Sequence, residues 1–255
     1  MRKFSVIVPT FHSPDLITIL IQTFEKFKPV DVENHFVVVE NSDNESYKNS
    51  VMSLAENISW IQNPSAPDFT TGAGSIANGL GVVRGLEEID DRFVFVAHCD
   101  VCVTSEEFFK ELFKKRDEGY RLIGTSRDNT RASAVHISGL YVDIDLLKEV
   151  DIMPLYEGHY PNASMVLDVG DSLDVHCREN NLPVFCFSNT FNDESLIDSL
   201  SQPYKSFHVD RALDSDGNVM FMHLGRGVPK TFDVYNKPNR VYLSGWCQFY
   251  SEHLR

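Results

Sequence analysis

Cations are scarce in this chain of 255 residues: 23 Lys and Arg stand against 37 Asp and Glu, a formal net charge of -14. That balance excludes nucleic acid as a partner, because phosphates need neutralising Lys and Arg. An anionic small molecule would need a local cation instead, either a metal or a cluster of arginines. No run of eighteen apolar residues exists, so no membrane-spanning helix is expected. The start, MRKFSVIVPTFHSPD, enters a strand without a signal-peptide cleavage pattern, which points to the cytoplasm. Cysteine is sparse and odd in number: Cys99, Cys102, Cys177, Cys186 and Cys247 are scattered through apolar segments, which excludes a disulfide framework and suits a reducing compartment. Cys99 and Cys102 form a CxxC, yet no second CxxC or HxxxH follows, so buried packing is the stronger reading over zinc. Two phosphate-binding signatures are also missing. GAGSIANG has neither GxGxxG spacing nor a place after the first strand, and no GK[ST] occurs.

What remains is a chain whose 42% hydrophobic content can build a substantial core. The stretch that organises it is FVFVAHCDVCVT, residues 93–104. Phe93 to Ala97 are all apolar, the pattern of a strand buried on both faces, and the run stops at His98, Cys99 and Asp100. Upstream, FSVIVP reads as a strand. Ser13 before Pro14 then resembles an N-cap with proline at the first helical position, and Leu16, Ile19, Leu20, Phe24 and Phe27 recur at helical spacing. HFVVVE is a second strand, Ser46 to Ala55 a helix and Ile58 to Ile61 a third strand. A proline- and glycine-rich loop with Gly72 and Gly74 follows, then a helix with Ile76, Leu80, Val83 and Leu86 on one face. Beyond the central strand, Ser105 to Arg116 reads as a helix and Arg121 to Thr125 and Ala134 to Val142 as strands. After Asp143 the pattern decays to a helix near Asp168, a strand at Leu182 to Phe187 and an aromatic, irregular tail. Strands alternating with helices predict an α/β fold with a doubly wound, mostly parallel sheet flanked by helices.

In such sheets ligands bind beyond the carboxyl ends of the strands. Thr10, Glu40, Asn41 and Asp100 all fall there. Each is an ordinary turn or cap residue taken singly; their coincidence at successive strand ends is the functional signal.

FSVIVPTF, VVVENSDN, a glycine-containing loop leading to Ala77, Asn78 and Gly79, and FVFVAHCDVCV, in that order and spacing, resemble the successive signatures of family-two glycosyltransferases of the GT-A fold. The resemblance runs from about Phe4 to Phe187. It implies one domain over 1–255, with a nucleotide-binding part at about 1–104 and an acceptor-side part and tail at about 105–255. It also implies transfer of a sugar from a nucleotide-sugar donor to an acceptor hydroxyl, with inversion. Donor contacts map onto Pro9, Thr10, Phe11, Glu40 and Asn78. The metal-binding DxD signature maps onto His98, Cys99 and Asp100, and here the chain departs from the pattern, because a histidine replaces the first acid. The implied divalent ion is Mn²⁺ or Mg²⁺, of which Mn²⁺ tolerates an imidazole better. In FMHLGRG, His223 resembles the late histidine that joins the metal, and Arg226 the basic residue on the diphosphate.

The family's general base lies on a helix near the acceptor, and DVGDSLDVHCREN resembles it. Asp171 is the candidate base; the bland alternative makes Asp168 an N-cap with Asp171 closing a box-like pair, and pairs Asp174 with Arg178 at i, i+4 on the exposed side of the helix. Two other functions stay open. A non-catalytic binding module of the same fold is consistent with the incomplete DxD, and a sugar-phosphate nucleotidyltransferase is disfavoured because FHSPD lacks a basic glycine-rich loop.

Overall fold

The computed structural model describes residues 1–63, 73–125, 132–157, 164–225, 241 and 243–255. In chain order the elements are β1 (Arg2–Thr10), α1 (Pro14–Phe27), β2 (Val32–Glu40), α2 (Lys48–Met52), β3 (Ile58–Gln62), α3 (Ala73–Gly85), β4 (Phe93–Ala97), β5 (Val101–Val103) and α4 (Glu107–Asp117). They continue as β6 (Leu122–Thr125), β7 (Gly139–Asp143), α5 (Ile144–Glu149), β8 (Leu155–Glu157), β9 (Ser164–Leu167), α6 (Asp171–Glu179), β10 (Val184–Asn189), β11 (Asp210–Leu213), β12 (Val219–His223) and α7 (Leu243–Phe249).

Among the described residues, ten strands form one mixed sheet in the order β3-β2-β1-β4-β7-β6-β10-β11-β12-β5, and β8 and β9 pair separately. Seven of the ten run the same way; β7, β11 and β5 are reversed. The mostly parallel α/β architecture expected from the alternating pattern is therefore present. Alternation along β4 explains why its whole length is apolar. Phe95 and Ala97 enter an aromatic core with Phe4, Phe24 and Phe108, covered by α1 and α4, while Val94 and Val96 enter an aliphatic core with Ile7, Val39, Val82 and Leu173, covered by α3 and α6.

The sheet is not flat, and chain length shows why. β4 and β5 are six strands apart in the sheet, about 29 Å at ~4.8 Å per spacing, yet only His98, Cys99 and Asp100 link them, a reach of about 14 Å at ~3.6 Å per residue. The sheet must curl until its last strands return beside β4. The packing agrees: Phe221 of β12 lies 6.2 Å from the Phe95 ring, and a Cβ on Gly139 of β7 would meet it at 2.7 Å.

Several expectations need correction. The helix face of Ile76, Leu80, Val83 and Leu86 is not the buried one. Leu80 and Val83 are exposed, and α3 instead presses Gly81, Val82 and Gly85 onto the sheet. The reason is distance: Cβ atoms at Gly81 and Gly85 would lie 2.9 Å from Pro9 Cβ and 2.7 Å from Ile7 Cγ2, so glycine is what lets the helix approach β1. Gly74 belongs to the first turn of α3 rather than to a loop, while Gly72 lies outside the described residues. The strand placed at Ala134 starts only at Gly139, and the tail is regular as far as β12. Ser13 precedes α1 as expected but does not cap it; its hydroxyl donates to the Phe11 carbonyl. In the tail, Trp246 and Phe249 are core residues, and Tyr235 and Tyr242 lie outside the described residues.

The glycine stripe makes a test. Gly85→Ala is expected to lose about 1–3 kcal/mol through overpacking, outweighing the ~1 kcal/mol by which alanine favours a helix. Gly74→Ala, with no atom of the described residues within 4 Å of the new methyl, is expected to be neutral or stabilising. Urea unfolding of the pair measures the difference.

Candidate functional site

The residues between β4 and β5 occupy the point where the last strand of the curled sheet returns beside β4. The His98 amide continues the β4–β7 ladder by donating to the Ser138 carbonyl at 3.2 Å. Val101 then pairs with His223 of β12, and the Leu224 amide donates to the Asp100 carbonyl at 3.0 Å. Thus His98, Asp100 and His223, distant in sequence, have side-chain ligand atoms within 4.8 Å of one another. Two imidazoles and a carboxylate in that space are a donor set for a transition-type divalent ion.

The electrostatics concentrate on His223. Its Nε2 lies 3.3 Å from Asp100 Oδ1 and its Nδ1 3.6 Å from Asp210 Oδ2. Burial opposes the charged imidazolium, but Asp100 and Asp210 outweigh it and push the histidine up to about 10. In the ion-free chain His223 is therefore a cation between two acids.

Two members of this cluster were not anticipated. Asp210 opens β11 opposite His223, a position that only strand pairing reveals. His136 stands 6.0 Å from His98 and 5.8 Å from His223 between ring centroids. A single imidazole in the apolar run AVHIS was its only trace in the sequence. His136 Nδ1 accepts from the Ser138 amide at 3.2 Å, so the neutral ring carries its proton on Nε2.

The other expected residues take different positions. Glu40 is fully buried; its carboxylate accepts from the His12 amide at 3.1 and 3.3 Å, from the Ser42 amide at 2.8 Å and from the Tyr47 hydroxyl. Burial raises its pKa above the usual carboxylate value, against the lowering effect of Ser42 and His12. Glu40 thereby ties down the two loops after β1 and β2, holding His12 at a left-handed φ of 45°. Asn41 braces α3, its amide donating to the Ala77 carbonyl at 3.3 Å. Thr10 is buried, and with Ser13 it touches the Cys99 thiol. Burial holds that thiol at about 12, with Asp100 adding to the effect, so Cys99 is an inert core group despite its place inside the motif. Pro9 packs under α3 at Gly81, and Phe11 is half-buried. On α3, the Asn78 amide oxygen is buried and has no hydrogen-bond partner among the described residues. Arg226 lies outside the described residues.

Helix α6 borders the segment that carries His136. Ile137 fills the space beside Gly170, and Asp174 Oδ2 accepts from the Val135 amide at 3.2 Å. Asp171 is buried at the first position of α6, where its Oδ2 accepts from the Asp168 amide at 2.8 Å; this is one bond of the expected pair, but the residue that precedes the helix is the left-handed Gly170, so Asp168 is not the N-cap. Asp174 is fully buried and only 3.8 Å from Arg178 Nε, which corrects the expectation of a surface helix pair.

A scan of protein-family models and a search of curated proteins both returned no match. Among solved structures, the mannosyltransferase PcManGT from Pyrobaculum calidifontis, in complex with GDP-Man and Mn²⁺, is similar over 72% of this chain and 54% of its own, at 14% identity and a TM-score of 0.49. S. aureus TarS 1-349 in complex with UDP is similar over 60% and 50%, at 20% identity and 0.44, and the galactosyltransferase LgtC, with donor and acceptor sugar analogs, over 58% and 60%, at 15% and 0.46. The chain thus spans between half and three-fifths of the length of these proteins. The likenesses are of architecture, and the chemistry rests on the side chains described above.

The raised pKa of His223 has a definite sign. Its stabilising contribution is complete below the unfolded value near 6.5 and is lost as pH rises through about 10. Melting temperature in metal-free buffer is expected to fall across that window, and His223→Gln is expected to flatten the profile there.

Proposed function

We propose that the chain is a glycosyltransferase of the family-two type, which moves a sugar from a nucleotide-sugar donor to an acceptor hydroxyl with inversion. The single observation that carries this reading is the His98, Asp100 and His223 cluster beyond the carboxyl end of β4, where the sequence carries the resemblance to the DxD signature. The donor set fits a divalent ion, with Mn²⁺ preferred over the oxygen-demanding Mg²⁺. Held by those three residues, the ion would supply Lewis-acid neutralisation of the leaving diphosphate.

The chain's own residues take the remaining roles. Asp100 and His223 share a proton-bearing ion pair in the ion-free state, so binding of a divalent ion there would be coupled to loss of that proton. The Nε2–H of His136 offers a donor beside the same cluster. The loops tied by Glu40, together with Pro9, Thr10, Phe11 and Asn78, form the nucleotide side, and Arg226 is assigned to the diphosphate. Asp171 is assigned as the base that takes the acceptor proton, in competition with its capping bond to Asp168.

Two experiments test the reading. A nucleoside diphosphate with Mn²⁺ is expected to raise the melting temperature, and Asp100→Ala to abolish the metal-dependent part of the shift. A full shift in that variant, still removed by chelator, overturns the metal assignment.

The second compares two carboxylates on one helix, with release of free nucleoside diphosphate from a panel of nucleotide sugars as the assay. Asp171→Asn is expected to lower turnover by roughly 10²- to 10⁴-fold with donor affinity nearly unchanged. Asp174→Asn is expected to lose about 1–3 kcal/mol of stability, because the Val135 amide and Arg178 lose a buried charged partner. Should Asp171→Asn change melting temperature alone, Asp171 is a cap and not the base.

A further inference from the structure

At the opposite end of the sheet lies a cleft of about 600 Å³ that the proposed chemistry does not use. Its walls come from the amino ends of β1 and β4 and from the carboxyl end of α4 with the turn into β6. Arg92 and Phe93 open β4 here, whereas His98 follows its far end, about 17 Å away at ~3.3 Å per residue. The two sites are therefore separate.

The composition of the cleft runs against that of the chain. Five of its eleven lining residues are cations, Arg2, Lys3, Arg92, Arg116 and Arg121, although only 23 of the 255 residues are basic. Two lining acids, Asp91 and Asp117, leave the walls basic. Each cation has a carboxylate neighbour. Arg2 pairs with Asp31 and Lys3 with Asp90 at exposed positions where ion pairs are weak and easily exchanged, and the half-buried Arg116 pairs with exposed Asp117. Arg92 and Arg121 share one buried carboxylate, Asp143, at 3.6 and 3.2 Å, so two guanidinium groups converge on one charge and retain donors beyond it. Asp91 is itself engaged by the Ser5 hydroxyl. The carbonyls ending α4 disfavour an anion, and the basic residues of its last turn, Lys114, Lys115 and Arg116, offset them.

The floor is aromatic and rigid. Tyr141 is buried with its ring stacked on Phe4 at 5.3 Å, and its hydroxyl is bonded to Arg116. Burial holds that phenol at about 12, against the effect of Arg116, so it stays a hydrogen-bond donor at neutral pH. A stacked ring and a bonded hydroxyl pre-set Arg116 at the floor, and the volume falls within the range that takes a whole small molecule rather than a lone ion.

We propose that this cleft is a second binding site, for a small phosphorylated molecule whose phosphate lies among Arg92, Arg116, Arg121 and Lys3. A guanidinium cluster with open donors suits a phosphate in geometry as well as charge.

The test is calorimetric titration of the whole chain with inorganic pyrophosphate in metal-stripped, low-salt buffer. Lys3 and Arg92 have side chains 58% and 78% exposed, so the double variant Lys3→Gln/Arg92→Gln removes two wall charges without disturbing the fold. Arg121 is left in place because it neutralises the buried Asp143. Binding at one site is expected without metal, weakening by about tenfold for each cation removed and with rising salt, and unchanged in Asp100→Ala. Absence of binding, equal affinity in the double variant, or loss in Asp100→Ala each overturns the proposal. Loss in Asp100→Ala would place pyrophosphate at the β4–β5 cluster, and none of these outcomes bears on the transferase reading, which is tested by the metal-dependent shift.

Discussion

Everything at the candidate site depends on how little chain joins β4 to β5. Three residues must connect two strands that a flat sheet would hold about twice as far apart as they can reach. The sheet resolves this by curling, and the curl is what delivers His223 and Asp210 to Asp100. Gly139 is part of the same solution, since any larger residue there would collide with Phe221 as β12 folds back. A constraint of chain length is thus converted into a cluster of polar groups in a buried setting, where a cation between two acids is held far more strongly than in water.

A second close approach, of α3 on β1, works by subtraction of side chains. Gly81 and Gly85 place the helix backbone over Pro9 and Ile7, and Asn41 then reaches the Ala77 carbonyl to fix the helix against the end of β2. Glu40 does the complementary work on the other side of the strand ends, gathering donors from two loops onto one buried carboxylate. Its charge is costly to bury, and the three donors are what make that burial tolerable. The candidate crevice is therefore bordered by groups whose polarity is already spent on holding its walls.

The acidic balance of the chain sharpens the meaning of its few cationic places. An imidazolium held between two acids sits beyond the carboxyl end of β4 and a group of guanidinium side chains around its amino end, so one short strand separates the two places where cationic groups gather within a negatively charged molecule. Long-range attraction of an anion to the whole surface is weak under these conditions, and recognition falls to short-range contacts within each site.

The sequence by itself determined the α/β class, the strands from β1 to β4, the helix α1 and the apolar run that ends at His98, because these rest on local periodicity and on abrupt changes from apolar to polar residues. It also supplied His98, Asp100 and His223 as candidates, through the order of motifs. Tertiary structure alone decided that these three converge, that His136 and Asp210 join them, and that Asp174 is buried rather than exposed. It also decided that the buried face of α3 is a row of glycines instead of the row marked by Leu80 and Val83. The physical reason is the same in each case. Hydrophobic spacing reports which side chains leave water, but close backbone approach and the meeting of charges across a curled sheet depend on pairings between residues from about forty to more than a hundred positions apart, which no local pattern encodes.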